Sequence, residues 1–186
     1  MPKIDPAYCK PYIYYLAYGS NLDCGRIRRR CPYAVAVGTT RILGYGLRFR
    51  KSKSGFYATI EPSADEFVPV AVWRISKYDE LLLDYYEGAP TWYYKKRFKI
   101  STSKPQKREL NAITYVMPDG REAGSPSKEY LKLIYNGYTE WGFDPVILRN
   151  GLSASIGKGK TDLFYTEFKR WRTKGYEDMP EMRKIV

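Results

Sequence analysis

The residue types best suited to chemistry in this chain stand together in one segment, Tyr18-Gly19-Ser20-Asn21-Leu22. It follows an aromatic, apolar run at 12–17 that predicts a buried strand, and it precedes a helical pattern. A glycine, a hydroxyl and an amide at such a turn can direct several donors at one point, beside a helix N-terminus that favours anions. The turn could therefore hold a carboxylate or a developing oxyanion. A purely structural role, with Ser20 or Asn21 as a helix N-cap, fits the same pattern.

The composition removes several kinds of catalytic site. The chain has no histidine, which excludes Ser-His-Asp and Cys-His catalysis and the usual histidine-based zinc sites. Its three cysteines, Cys9, Cys24 and Cys31, form no C-x-x-C pair, so we interpret them as reduced thiols. We expect neither a metal nor a cofactor, and we expect a carboxylate to carry any acid–base chemistry.

Strands and helices must position this segment, and the sequence predicts most of the strands early in the chain and most of the helices late. Beyond the first strand, β-prone stretches broken by Gly and Pro are predicted at 34–51, 55–62, 68–75, 93–101 and 110–117. Helices are predicted at 23–30, 76–88, 126–141, from 145, and from 161. Pro62 should end its strand, 102–109 should form a hairpin loop, and 152–160 should be a connector. This order predicts an α+β fold with a curved sheet or barrel.

The length of 186 residues predicts one compact domain with its own core. We assign residues 1–155 to that domain and 156–186 to a basic C-terminal extension that forms a helix packed on it. No apolar run approaches the roughly 20 residues that span a bilayer, and the first six residues lack the apolar core of a secretory signal. We therefore expect a cytoplasmic protein without membrane association, either a monomer or a homodimer.

The strongly basic charge, formally +12 with a pI near 9.5, suggests a polyanion partner. Basic clusters lie at 26–30, 48–53, 95–97 and 169–172. They are spread along the chain and match no RNP, KH, zinc-finger or helix-turn-helix pattern. We expect no specific nucleic-acid partner, only weak and salt-sensitive adhesion to polyanions.

Four features occur together in a fixed order along the chain. They are Tyr-Gly-Ser-Asn-Leu at 18–22, Asp-Tyr-Tyr-Glu-Gly at 84–88, Tyr94, and Pro-Ser-Lys-Glu-Tyr-Leu at 126–131. In these features the chain resembles the γ-glutamylcyclotransferase family, over roughly residues 12 to 150. The resemblance implies a mixed β-barrel core flanked by helices. It also implies an enzyme that converts a γ-glutamyl amine or γ-glutamyl amino acid to 5-oxoproline and a free amine or amino acid.

The resemblance also implies roles for single residues. Glu87 takes the position of the catalytic general acid/base, and the substrate-binding positions fall on Tyr18, Gly19, Ser20, Asn21, Leu22, Tyr94 and Tyr130. The chemistry of a carboxylate fits this role, because the substrate ammonium must lose a proton before attack and the departing nitrogen must gain one. Aromatic residues near Glu87 in the sequence are expected to bury it and to raise its pKa: Tyr85, Tyr86, Trp92, Tyr93 and Tyr94.

Alternatives remain open for the protein and for two residues of the pattern. The same fold could serve a non-catalytic metabolite-binding or regulatory protein. Arg26 could pair with a substrate carboxylate, although the sequence favours an exposed, solvated position for it. Asp84 is expected to be structural, as the partner of a nearby basic group.

Overall fold

The computed structural model describes residues 11–101 and 109–172. Five strands are formed by Ile13–Ala17 (β1), Val35–Lys51 (β2), Phe56–Ile75 (β3), Tyr94–Ser101 (β4) and Glu109–Val116 (β5). Five α-helices are formed by Cys24–Arg30 (α1), Lys77–Glu87 (α2), Lys128–Glu140 (α3), Pro145–Ile156 (α4) and Lys158–Arg172 (α5). A short 3₁₀ turn, Ser20–Leu22, lies between β1 and α1. The predicted loop at 102–109 falls mostly outside the described residues, as do Cys9 and the end of the extension, 173–186.

All five strands belong to one mixed sheet with the order β2-β3-β1-β5-β4. The central strand β1 runs antiparallel to β3 and parallel to β5, and all its residues pair with β3. The predicted α+β class is confirmed. The word barrel describes the sheet only loosely, because in the part of the chain described here β2 and β4 are edges and the sheet does not close.

The long hairpin of β2 and β3 corrects the prediction that Pro62 ends a strand, since β3 continues through it to Ile75. Pro62 faces Tyr45 next to a register shift, where Gly44 stands opposite the four residues 63–66. Gly44 has a φ of 73° in this irregular stretch. A bulge tolerates a proline because the ladder is already interrupted there and a missing N–H removes no regular hydrogen bond.

The helix starts follow the local capping signals. The hydroxyl of Ser76 accepts from Asp79 N–H, and the Asp79 carboxylate accepts in return from Ser76 N–H. Ser127 caps α3, and Asp144 caps α4 with Pro145 at its first position.

The predicted connector at 152–160 is wrong, because α4 runs on to Ile156 and α5 begins at Lys158. Ser155 explains the longer helix. Its hydroxyl donates to Gly151 C=O and accepts from Phe49 N–H of β2, both at 2.8 Å. This tertiary anchor holds residues whose own helix propensity is modest. Gly157, with a φ of 83°, separates the two helices.

The core lies where the sheet meets α3 and α4. Its largest fully buried side chains include Trp73 of β3, Phe49 of β2, and Leu131 and Ile134 of α3. Among the described residues, no helix is both long enough and apolar enough to cross a membrane.

Candidate active site

The turn after β1 is held in place by α3. Gly137 packs directly on Leu22, with no room for a side chain between them. The indole N–H of Trp141 donates to Leu22 C=O at 2.9 Å. Leu22 N–H donates to Gly19 C=O at 3.0 Å and closes the 3₁₀ turn. The N–H groups of Ser20 and Asn21 come earlier in the turn, so no carbonyl within it can accept from them. The turn therefore offers main-chain donors at a fixed position.

Glu87 is the last residue of α2, and Gly88 ends the helix with a left-handed φ of 63°. The Glu87 side chain is only 17% exposed. Its Oε1 accepts a hydrogen bond from Asn21 Nδ2 at 3.2 Å and lies 3.4 Å from an Nη of Arg30. The structure thus brings the predicted carboxylate to the predicted turn.

Asn21 connects Glu87 to two further residues. Its Nδ2 also donates to the Tyr15 hydroxyl at 2.9 Å, and its Oδ1 accepts from the Arg30 guanidinium at 3.0 Å. The guanidinium of Arg30 lies over the Tyr86 ring, 4.7 Å from the centroid. Arg30 was not predicted as a site residue. The sequence places it only in a basic cluster, and it meets Glu87 across 57 positions of the chain.

Burial raises the pKa of Glu87 above its ordinary value, and the positive charge of Arg30 and the Asn21 hydrogen bond oppose this rise. Burial also raises the pKa of Tyr18 and Tyr93, and it raises the pKa of Tyr130 to about 12. These tyrosines are therefore neutral at physiological pH. The site therefore combines a carboxyl group whose pKa is raised by burial with tyrosine hydroxyls that keep their protons.

Glu87 lies in a cleft between the turn, β3 and α3. The cleft is lined by Tyr15, Tyr18, Gly19, Ser20, Asn21, Ala58, Glu87, Tyr93, Tyr115 and Tyr130. Its cavity volume is about 30 Å³, and all of its empty space, including the space open to solvent, is about 300 Å³. Of the other substrate-binding positions predicted, Leu22 is fully buried behind the turn and Tyr94 lies outside the lining.

Tyr93 occupies the place in this lining that was predicted for Tyr94. The Tyr93 hydroxyl donates to Ala58 C=O at 2.9 Å, and the residue is 7% exposed. Tyr94 begins β4, and successive residues of an extended chain point to opposite sides. A one-residue difference in register therefore decides which tyrosine enters the cleft.

Only some of the aromatic residues expected around Glu87 are found there, and Tyr93, which lines the cleft, is one of them. Tyr85 is 81% exposed and Tyr86 is 47% exposed, so neither encloses the carboxyl group. Together with Tyr93, tyrosines from distant parts of the chain line the cleft around Glu87. The Tyr18 hydroxyl donates to Tyr115 C=O at 2.5 Å, which ties the turn to β5.

Tyr130 lies one turn into α3, as its position after the Pro-Ser start predicts. Its hydroxyl accepts from Ala58 N–H at 3.2 Å, and its ring packs edge-on against Tyr57 with the centroids 4.8 Å apart. Because the hydroxyl can still donate, it is available to an acceptor in the cleft.

Asp84 has the structural surroundings that were expected for it. Lys95 Nζ lies 2.8 Å from one carboxylate oxygen, and the Tyr115 hydroxyl donates to the other at 2.6 Å. In the described part of the chain, no cluster of three or more His, Cys, Asp or Glu could hold a metal ion.

The fold and the cleft define a class of α+β protein in which a buried carboxyl group at a helix end faces a strand-to-3₁₀ turn. Residues 15–137 match the family model described as gamma-glutamyl cyclotransferase, AIG2-like, and the chain belongs to this family. The gamma-glutamylcyclotransferases of Mus musculus and Homo sapiens are 33% and 31% identical to it over 135 residues. These residues make up 69% of this chain and 71% of each relative.

Solved structures agree with this assignment. A gamma-glutamyl cyclotransferase structure at 28% identity superposes with a TM-score of 0.67, covering 83% of this chain and 99% of that chain. YkqA from Bacillus subtilis, at 20% identity and a TM-score of 0.65, shares the fold over 80% of this chain and 57% of its own. The predicted family and enzyme class are confirmed.

Proposed function

We propose that this protein converts a γ-glutamyl amine or γ-glutamyl amino acid to 5-oxoproline, with Glu87 as the general acid/base. The observation that carries the proposal is the buried Glu87 carboxyl group, 3.2 Å from the Asn21 amide of the turn. The names of the relatives that align with two thirds of the chain support the same reaction.

In this reaction the substrate supplies its own nucleophile. Glu87 accepts a proton from the substrate's α-ammonium group, and the free amine attacks the γ-carbonyl carbon to form the ring C–N bond. The oxyanion that develops is bound by the N–H groups of Ser20 and Asn21. As the bond to the leaving nitrogen breaks, Glu87 returns the proton to that nitrogen. The ring nitrogen loses a second proton after the attack, and Glu87 passes this proton likewise to the released amine, which departs as an ammonium ion. The proton count then balances, and no water is consumed.

The protein's main task in such a ring closure is to hold the substrate folded. An intramolecular attack already has a high effective molarity when its geometry is correct. Tyr18 and Tyr130 are neutral hydroxyl-bearing residues of the cleft, and they can bind the glutamyl part without competing for the proton. The cavity volume of about 30 Å³ has room for little more than one or two water molecules. A bound γ-glutamyl substrate therefore extends into the part of the cleft that is open to solvent.

Glu87→Gln tests this role. The substitution keeps an acceptor and the shape of the side chain but removes the exchangeable proton, so 5-oxoproline release should fall by about 10²- to 10⁴-fold. The measurement is mass spectrometry of the protein incubated with a mixture of γ-glutamyl compounds. Asp119→Asn removes an exposed carboxylate elsewhere and is the matched control, expected to keep full activity.

Unchanged turnover in Glu87→Gln would remove Glu87 from the mechanism. Wild-type protein that releases no 5-oxoproline but binds another metabolite tightly would support the non-catalytic alternative. The cytoplasmic location, the monomer or homodimer state and the helical extension at 156–186 stay predictions, as does the lack of a specific nucleic-acid partner.

A further inference from the structure

Arg26 and Arg30 lie one turn apart on α1, and of the two guanidinium groups only that of Arg30 has hydrogen-bond and ion-pair partners among the described residues of the site. Arg30 contacts both Glu87 and Asn21 and stacks on Tyr86. Arg26 is half-buried rather than solvated, which corrects the exposed position favoured from the sequence. Its Nε is fully buried and finds no hydrogen-bond partner among the residues that the structure describes. A buried guanidinium N–H without an acceptor is unfavourable unless a ligand supplies one.

Arg26 lies close to the cleft, although it is not one of the residues that line it. Its charge interacts with those of Glu87 and Arg30, and with the Tyr130 hydroxyl that lines the cleft. Residues at i and i+4 of a helix lie on the same side, so Arg26 and Arg30 approach Glu87 from one face of α1.

The neighbouring carboxylates do not satisfy Arg26. Asp23 accepts from the main-chain N–H of Arg26 at 2.6 Å and caps α1 in this way. Glu87 is engaged by Asn21 and Arg30. Like charges at i and i+4 weaken a helix, and an anion between the two guanidinium groups would relieve both this repulsion and the unpaired Nε.

We propose that Arg26 binds the α-carboxylate of the substrate's glutamyl group and thereby determines specificity; this inference rests on the proposed cyclotransferase function. The α-carboxylate and the α-ammonium group are attached to the same carbon. A substrate whose ammonium group reaches Glu87 must place its carboxylate close by. A planar guanidinium binds a carboxylate through two parallel hydrogen bonds, a geometry that an amide cannot match.

The test uses the reaction product, because 5-oxoproline keeps the α-carboxylate and undergoes no turnover. Binding of 5-oxoproline and of its carboxamide is measured by calorimetry or NMR titration. Wild-type protein should bind the acid about 10- to 100-fold more tightly than the amide, as expected for a hydrogen-bonded charged pair. Arg26→Gln should bring this ratio close to one by weakening binding of the acid alone.

The chain offers matched variants. Arg29→Gln removes an exposed charge from the same helix and should keep the wild-type ratio. Arg26→Lys keeps the charge but loses the planar fork, so it should bind the acid more weakly than wild type does. Thermal unfolding separates this role from a structural one. Loss of the unpaired Nε should leave the melting temperature of Arg26→Gln unchanged or higher, whereas a structural arginine would lower it.

The inference is overturned if Arg26→Gln still prefers the acid, or if wild type binds both lactams equally or neither of them. The same titrations in Glu87→Gln do not depend on catalysis. A failure of the proposed function, seen as absent 5-oxoproline release, is therefore distinguishable from a failure of this inference. Should Arg26→Gln fail to fold, an undiminished preference for the acid in Arg26→Lys would equally overturn it.

Discussion

At the scale of the residue, Glu87 is subject to opposing influences that together suit proton transfer. Burial favours its neutral form, while Arg30 and the Asn21 amide favour its charged form. A general acid/base works best when neither form dominates strongly at the working pH. Arg30 is thus a positioning residue that acts through Glu87, and its effect should be visible in the pH dependence of the reaction.

We expect Arg30→Gln to move the acidic limb of the kcat/KM profile to higher pH. Glu87 must be deprotonated to accept the substrate's proton, and without the nearby cation its pKa rises further. Activity at neutral pH should fall, but less than in Glu87→Gln. The measurement is the pH profile of 5-oxoproline release. Arg28→Gln, an exposed position on the same helix, should keep the wild-type profile, and an unmoved limb in Arg30→Gln would contradict the assignment.

Glu87 should also make stability depend on pH. Its folded-state pKa is raised above the unfolded value of about 4.3. The folded state therefore holds the proton more tightly, and the stabilisation present below the unfolded pKa is lost as pH rises through the folded pKa. Glu87→Gln does not titrate, so its melting temperature relative to wild type should increase from acidic to neutral pH and then level off. A difference that stays constant over that range would show that Glu87 is not perturbed.

The sequence could identify only part of this site. Glu87 and the turn 18–22 lie in motifs that a reader of the chain can recognise. Arg30 and Tyr115 could not be assigned, because each joins the site through tertiary contacts, and Tyr93 was expected only to help bury Glu87. Tyr115, for instance, contacts Tyr18 across 97 positions. No local pattern distinguishes these side chains from the chain's other arginines and tyrosines.

At the scale of the element, some boundaries of helices and strands are set by local sequence signals and others by tertiary contacts. Helix starts at Ser76, Ser127 and Asp144 were predictable, because a cap acts within three residues of itself. The passage of β3 through Pro62 and the extension of α4 to Ile156 were not. Contacts with β2 explain both. The bulge in the β2–β3 pairing accommodates Pro62, and the Phe49 N–H of β2 donates to Ser155 near the end of α4. Both misassigned segments therefore belong to the packing around β2.

Gly137 is the point at which helix α3 packs against the turn of the site. A side-chain carbon there would collide with Leu22, lying only 2.9 Å from the Leu22 carbonyl carbon. Alanine normally stabilises a helix interior relative to glycine by about 1 kcal/mol. We nevertheless expect Gly137→Ala to destabilise the protein by about 1–3 kcal/mol through overpacking. Displacement of the turn should also lower kcat/KM, since Asn21 would leave Glu87. Thermal unfolding and 5-oxoproline release measure the two effects.

Two other glycines are controls for this prediction. Gly151 of α4 packs against Leu47 of β2, with a would-be side-chain carbon 2.7 Å from its carbonyl oxygen. Gly151→Ala should therefore destabilise similarly yet spare the folded enzyme's activity. Gly159 of α5 has open space around it, and Gly159→Ala should be neutral or stabilising. Full activity in folded Gly137→Ala would show that the turn does not depend on α3.

At the scale of the whole molecule, the basic charge is less concentrated than the sequence suggests. Three of the predicted basic clusters contain ion pairs with carboxylates of the same chain: Arg30 with Glu87, Arg48 with Glu66, Arg50 with Glu61, and Lys95 with Glu80 and Asp84. Basic side chains that already form ion pairs with carboxylates are poorly available to phosphate groups. The remaining charge is spread over several elements, which favours loose attraction over a shaped nucleic-acid site.

We therefore expect RNA or DNA to bind weakly, with no dependence on sequence, and to be released readily by salt. Even two phosphate contacts would weaken binding about tenfold between roughly 50 mM and 200 mM salt, because each contact displaces condensed counterions. Fluorescence anisotropy with two unrelated single-stranded oligonucleotides over that salt range measures both properties. Affinity that survives the higher salt, or that differs between the oligonucleotides, would contradict the expectation. Such a result would require a concave basic surface with aromatic or base-reading side chains, whereas Arg48 and Arg50 of the cluster at 48–53 lie along β2 and already pair with glutamates.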